Sequence, residues 1–283
     1  METGIQLGVM LWCHTLSDLQ RKAGLAAAAG YRYCQVTFLW AVTTGEAVVA
    51  ADTALQQGVE IVAFGAYANL LRPGEETFGG TRLQTVYDLI EALHTVGCRR
   101  IALWSGSYGR HVEDAVPANW TPQARAVALA EARSLATRLR SHAGYLCLEP
   151  FHTHVLRTAA EYAAFARAVD DDVGRVVLDP PNLIPAAEYD RLPERLPAIV
   201  QTLAPVTGLI HLKDLSRRAD GSLARPGPGH GTIDYAHFLS LIAAHGIAAP
   251  AIIESVDDTS VTEMRDARRF VEQHAQSAGL RLA

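Results

Sequence analysis

The 283-residue chain is short of cysteine, of charge and of long apolar runs, and each shortage removes a class of protein. Its four cysteines, Cys13, Cys34, Cys98 and Cys147, are scattered and form no CxxC pair. A disulfide scaffold and a thiolate zinc site are therefore excluded. Three of the four sit in or beside apolar runs, as buried reduced thiols of a cytoplasmic protein do. No uninterrupted apolar run approaches a membrane span, and Met1-Glu2-Thr3-Gly4 lacks the basic, then apolar, opening of a signal peptide. Positive charge is also scarce: the formal net charge is −5, which argues against nucleic acid as the main partner. No Pro/Gly/Ser-rich linker divides the chain, so residues 1–283 are expected to form one domain.

Hydrophobic residues make up 49% of the chain against 19% charged, ample for a sizeable core. Eight short apolar runs alternate with segments of helical period. Strands are expected at 5–12, 33–38, 59–64, 100–104, 145–149, 175–179, 208–213 and 251–255. Helices are expected at 17–29, 46–57, 82–96, 122–141, 159–169, 188–203, 235–245 and 262–276. Thr43 with Glu46, Thr158 with Glu161 and Ser260 with Glu263 have capping-box spacing, and Thr121-Pro122 offers an N-cap before a first-turn proline. Gly30, Gly58 and Gly97 stand where helices should end. Eight strand–helix units imply a parallel sheet, and eight is the number that closes a (β/α)8 TIM barrel. The alternative, an open doubly wound sheet, would carry G-x-G-x-x-G after its first strand, and none is present.

In a barrel, active sites gather at the C-terminal ends of the strands. Strand five ends in Glu149, strand six in Asp179 and strand eight runs into Glu254, while strand seven carries His211 and Lys213. One acid at a strand end is usually a cap or an ion-pair partner. Four ligand-type residues from four successive strands form a hard, oxygen-rich donor set that suits a divalent cation. Around them Trp12, Phe38, Trp40, Tyr67, Trp104, Tyr108 and Phe151 fall at or just after strand ends, the aromatic wall of a small-molecule pocket. His152, His154, His14 and His230 lie near the same rim. Of the other histidines, including His111, most fall on expected helices, and surface or packing roles are expected for them. The stretch 105–110, Ser-Gly-Ser-Tyr-Gly-Arg, is Gly-rich but lacks a P-loop's Lys-Ser/Thr.

These residues resemble the xylose isomerase-like TIM barrel superfamily of sugar isomerases and epimerases. The matching stretches are Leu148-Glu149-Pro150, Leu178-Asp179-Pro180-Pro181-Asn182, His211-Leu212-Lys213-Asp214, the turn from Pro228 to Asp234, and Ile253-Glu254. The resemblance implies one divalent metal, Mn²⁺ or Mg²⁺ first and Co²⁺ or Zn²⁺ next, held by Glu149, Asp179, His211 and Glu254. It makes Glu149 and Glu254 the catalytic acid/base pair and Asp234 the cap of the next helix, and places Arg217 at a substrate oxygen. His152, Lys213, Asn182, Trp104 and Trp12 complete the expected substrate contacts. Ketose epimerases carry histidine where this chain has Asn182, and a glutamate shortly after the position of Glu149, so the substrate is not expected to be a standard ketohexose.

The implied activity is isomerisation or epimerisation of a sugar, keto-sugar or cyclitol through an enediolate. A lyase or dehydratase using the same base is the first alternative. A non-catalytic ligand-binding barrel and an apurinic-endonuclease-like DNA repair enzyme are more remote. The last needs extra histidines that strands three and four do not supply. Family members are commonly homo-oligomers, and the expected partner is the small-molecule substrate.

Overall fold

The computed structural model describes residues 4–77 and 80–283. The opening Met1-Glu2-Thr3, read above for a signal peptide, lies outside them. In chain order the elements are β1 (Leu7–Cys13), α1 (Leu16–Ala28), β2 (Tyr33–Phe38), α2 (Thr44–Gln56), β3 (Glu60–Asn69), α3 (Leu83–Val96), β4 (Arg100–Trp104) and α4 (Pro122–Ser141). There follow β5 (Tyr145–Glu149), α5 (Ala159–Val169), β6 (Gly174–Leu178), α6 (Leu192–Leu203) and β7 (Thr207–Leu212). A small antiparallel hairpin, β8 (Ser216–Arg217) and β9 (Leu223–Ala224), precedes α7 (Tyr235–Ala244), β10 (Ala251–Ile253) and α8 (Val261–Ser277). Eight parallel strands close in the order β1-β10-β7-β6-β5-β4-β3-β2, a (β/α)8 TIM barrel.

Alternation along the strands builds two apolar layers and then the site. Outward residues such as Val9, Leu103, Leu148 and Leu178 pack against the helices. Inward ones, Met10, Ala102, Cys147, Val177, Leu209 and Ile252, fill the barrel as a separate cluster. Side chains repeat their direction every second residue. The next inward positions are therefore Trp12, Trp104, Glu149, Asp179, His211 and Glu254, and one more step along β7 gives Lys213. The functional layer is the barrel's own apolar plug shifted two residues toward the strand ends.

Helix starts follow the sequence closely. Thr43–Glu46 and Thr158–Glu161 form reciprocal capping boxes, and Thr121 and Asp234 cap α4 and α7. Ser260 caps α8 one way only, because Glu263 turns its carboxylate to the Asp257 amide instead. Most boundaries fall within two residues of expectation, and two differ by more. β3 runs five residues further, to Asn69, and residues 186–191 form 3-10 turns before α6.

The chain has only two lysines, Lys22 and Lys213, and both are buried. Lys22 donates to the Trp12 carbonyl and lies 2.9 Å from Asp258, whose carboxylate accepts from the Trp12 amide at 2.9 Å. This pair fixes both sides of the Trp12 backbone where the barrel closes. No helix among the described residues is long and apolar enough to cross a membrane.

Candidate metal centre

Glu149, Asp179, His211 and Glu254 converge as the sequence implied. His211 Nδ1 lies 3.2 Å from a Glu254 oxygen, 3.5 Å from Glu149 and 3.8 Å from Asp179. One donor atom from each of the four lies within 4.8 Å of the others, and all four residues are buried. Ligands ~2.0–2.6 Å from a shared cation sit roughly 3–4 Å from one another, so the spacing fits. His211 Nδ1 and Asp179 Oδ1 are buried and make no hydrogen bond. Each such orphan costs about 1–3 kcal/mol unless something occupies it. These four residues could hold a metal ion.

Gln35, in the middle of β2, sets the histidine. His211 Nε2 lies 3.0 Å from Gln35 Oε1, so Nε2 carries a proton and Nδ1 is the atom turned to the carboxylates. Gln35 Nε2 donates to the Tyr67 hydroxyl at 3.3 Å, and Tyr67 donates to Glu149 Oε2 at 2.6 Å. One amide thus ties the histidine to a ligand carboxylate. Gly65 makes room for it: a Cβ there would lie 2.5 Å from Thr37 Oγ1 and 3.1 Å from Gln35 Nε2. Gly65→Ala is therefore expected to destabilise the fold by about 1–3 kcal/mol through overpacking. It should also weaken metal binding by ~10–100-fold, as losing an outer-shell partner does. Thermal unfolding and a metal titration on the same variant check both.

Lys213 stands among the ligands, 2.8 Å from Asp179, 3.0 Å from Glu254 and 3.9 Å from Glu149. Asn182 donates to Asp179 at 2.7 Å and to Glu149 Oε1 at 3.1 Å. Burial pushes Glu149 up to about 7, against the attraction of His211. Burial acts the same way on Glu254, but Lys213 and His211 outweigh it and hold that carboxyl down to about 2. Burial should lower His211, yet Glu149, Asp179 and Glu254 raise it to about 10. Without a cation the cluster keeps a proton on its histidine.

Above the cluster opens a cavity of about 630 Å³, walled by Trp12, Tyr67, Trp104 and Phe151, with Glu149, Glu254 and Lys213 at its inner end. Trp12 and Trp104 stack on either side of Tyr67, with centroids 5.8 and 4.8 Å away. Asp179, His211 and Asn182 lie beneath, fully buried. The segment after β5 turns instead of extending, which separates its two histidines. His154 lines the cavity, whereas His152 Nδ1 lies 3.2 Å from the Asn182 carbonyl and off the wall. Arg217 is also off the wall, paired with Asp190 at 3.0 Å and stacked over Tyr189. His14 and His230 are exposed outside the cavity. Phe38, Trp40 and Tyr108 do not line it, and His111, expected at the surface or in packing, does. Gln35 and Asp214 were not anticipated. Asp214 is buried and accepts the backbone amides of Leu215, Gly229 and Ile233, which sets the 228–234 turn on the rim.

A family model described as xylose isomerase-like TIM barrel matches residues 23–274. No curated protein sequence matches the chain. Among solved structures it is similar to an L-ribulose 3-epimerase, with TM-score 0.73 and 17% identity over 97% of this chain and 96% of that one. A D-psicose 3-epimerase structure obtained in the presence of D-fructose matches with TM-score 0.69 and 16% identity over 97% and 100% of the two chains. A xylose isomerase-like TIM barrel protein from Mycobacterium smegmatis in complex with magnesium gives 0.69 and 19% over 93% and 88%.

Proposed function

Because the chain belongs to the xylose isomerase-like TIM barrel family, we propose that it is a divalent-metal-dependent isomerase or epimerase of a sugar, keto-sugar or cyclitol. The observation that carries this is the pair of glutamates. Glu149 on β5 and Glu254 after β10 both reach the inner end of the cavity, and two strands, β6 and β7, stand between theirs in the barrel. They approach a bound molecule from different sides. The similar epimerases of known structure, and separately the xylose isomerase-like protein in complex with magnesium, agree with this reading.

A divalent ion held by Glu149, Asp179, His211 and Glu254, Mn²⁺ or Mg²⁺ by the hardness of these donors, supplies positive charge for the oxygens of an enediolate. The chain's own groups do the rest. One glutamate removes the proton from the carbon beside the carbonyl. The other returns a proton, to the opposite face of that carbon for epimerisation or to its neighbour for isomerisation. Asn182 and Tyr67 hold Glu149 from two sides, so its reach is fixed. Lys213 places an ammonium where a substrate oxygen carries growing negative charge. Trp12, Tyr67 and Trp104 keep water from the reacting carbon.

Wash-in of deuterium from D₂O, with Mn²⁺-loaded protein and a panel of keto-sugars and cyclitols, tests this. Exchange at a carbon beside the carbonyl supports it; loss of water without exchange into recovered substrate would assign elimination; no change in any compound rejects it. Arg217 can touch substrate only by leaving Asp190. Such a contact predicts that Arg217→Ala lowers kcat/KM by at least about tenfold, the worth of a charged hydrogen bond, with metal affinity unchanged.

A further inference from the structure

The proton-transfer groups occupy only the inner end of the cavity. Its outer walls are built by the end of β3 and the β3–α3 loop, with Asn69, Arg72 and Thr77, and by the β4–α4 loop over residues 106–112. At about 630 Å³ the whole is within the ~300–1,000 Å³ of pockets that enclose drug-sized ligands, far more than one hexose fills.

The Gly-rich loop is where an anionic end group would be expected to sit, since successive backbone amides can cradle a phosphate. Here those amides are already used. Ser107 N–H donates to Asn69 Oδ1 at 3.2 Å, Tyr108 N–H to Asn119 Oδ1 at 2.7 Å and Gly109 N–H to Ser107 Oγ at 2.9 Å. Arg110 and His111 N–H both donate to the Asp114 carboxylate, at 2.8 and 2.9 Å. The chain's own carboxylate fills the anion seat. It is packed so closely that a Cβ on Gly109 would lie 2.5 Å from Asp114 Cβ.

The cations nearby do not replace that seat. Arg72 is paired with Glu75 at 3.2 Å and donates to the Tyr108 carbonyl. Glu75 and Glu76 stand on the same wall and repel an anion. Arg110 has no ion-pair partner among the described residues, but it is exposed, where one charge in water is worth little.

The polar group that does ask for a ligand is neutral. His154 is buried on the cavity wall beside Phe151 and Trp104, with ring centroids 5.2 and 5.8 Å away. Its Nε2 lies 3.1 Å from the Val112 carbonyl, and its Nδ1 has no partner. This wall of Trp104, Phe151 and a buried imidazole, which offers no charge, suits the C–H face of an uncharged ring.

We propose that this site takes an uncharged substrate of two units, a glycoside of the reacting sugar, in preference to a free monosaccharide or a sugar phosphate. This rests on the isomerase or epimerase reading above. The reacting unit lies between Glu149 and Glu254, and the second unit fills the outer part between the β3–α3 and β4–α4 loops.

A matched set of ketoses tests it: D-fructose, D-fructose 6-phosphate and 6-O-glucosyl fructose, which carry nothing, a phosphate and a sugar on the same oxygen. A second set of the same design has its carbonyl at the third carbon. Deuterium wash-in by the Mn²⁺-loaded protein gives kcat/KM, and quenching of intrinsic tryptophan fluorescence, with Trp12 and Trp104 in the wall, gives binding. The glycoside of one set should exceed its free sugar by at least about tenfold in both measurements, with the phosphate no better than the free sugar. A free sugar equal to its glycoside, or a phosphate ahead of both, would overturn the proposal and leave the isomerase or epimerase reading standing. Binding of the glycoside without exchange in either set would overturn that reading instead, and no binding by any member would overturn both.

Discussion

Replacing Glu149 or Glu254 by glutamine is expected to cut proton exchange at the reacting carbon by ~10²–10⁴-fold, the usual worth of a positioned acid or base. Fold and metal stoichiometry should persist, because the amide keeps the length and shape of the carboxylate. At position 149 two donors face the side chain, Asn182 Nδ2 and the Tyr67 hydroxyl. The hydroxyl can rotate and accept from a new amide N–H, so the glutamine of Glu149→Gln can be satisfied. At position 254 the change removes one negative charge from Lys213, which keeps Asp179 at 2.8 Å. If the glutamates serve opposite faces, the two variants lose exchange from opposite epimers when substrate and product are followed separately. Near wild-type exchange in both would reject the two-carboxylate mechanism and turn attention to His154. Aspartate at either position should fail as well, since withdrawing the oxygen by one bond length costs roughly 10²-fold.

Metal affinity should depend steeply on pH, with a sign set by His211. In the bare site its neighbouring carboxylates raise it to about 10, and the proton must leave Nδ1 before that atom can bind a cation. Below that value a proton and a metal compete for one lone pair. Apparent affinity is thus expected to fall about tenfold from pH 8 to pH 7 and, once Glu149 (raised to about 7) also takes up a proton, about a hundredfold for each unit below that, roughly 10⁵-fold in all between pH 8 and pH 5. Calorimetric titrations of Mn²⁺ in buffers of different ionisation enthalpy should report about one proton released per ion bound at pH 8 and about two at pH 6. Affinity flat over this range would mean that the histidine is already neutral in the bare site. Asp179→Ala should lower affinity at every pH and keep the slope, because Asp179 is a fully buried candidate ligand and His211 still carries the exchangeable proton.

The four candidate ligands were legible in the sequence because strand ends are where periodicity breaks: an apolar run that stops on Glu or Asp marks both the boundary and the candidate chemistry. β2, β4, α4 and α5 were placed to the residue by the same kind of edge. β3 was cut short because its last residues, Gly65-Ala66-Tyr67-Ala68-Asn69, carry too little apolar bulk to read as strand. Gly65 among them is what leaves room for Gln35 and Thr37 in the barrel interior, so at that residue the weak pattern and the functional packing have one cause. Gln35 itself was visible as a lone amide between Cys34 and Val36 in a buried run, an expensive residue to place there without a partner. His152 and His154 could not be told apart, because period-two reasoning needs an extended backbone and the chain turns at that point. Arg217 was placed at a substrate oxygen by the family resemblance; its seat on Tyr189 and Asp190 depends on the 186–191 turns, a contact between distant segments that no local pattern carries.

The burial of both lysines has a practical consequence for anyone handling the protein. Every other positively charged side chain is an arginine, so the exterior of the described residues presents no side-chain amine. Acylation and reductive alkylation need a free amine, and Lys213 is held as a buried ammonium by Asp179 and Glu254. The folded barrel should therefore resist reagents that decorate most proteins, and lysine modification becomes a gauge of opening. Mass spectrometry of the Lys22 and Lys213 peptides along a denaturant series would show which part of the barrel opens first.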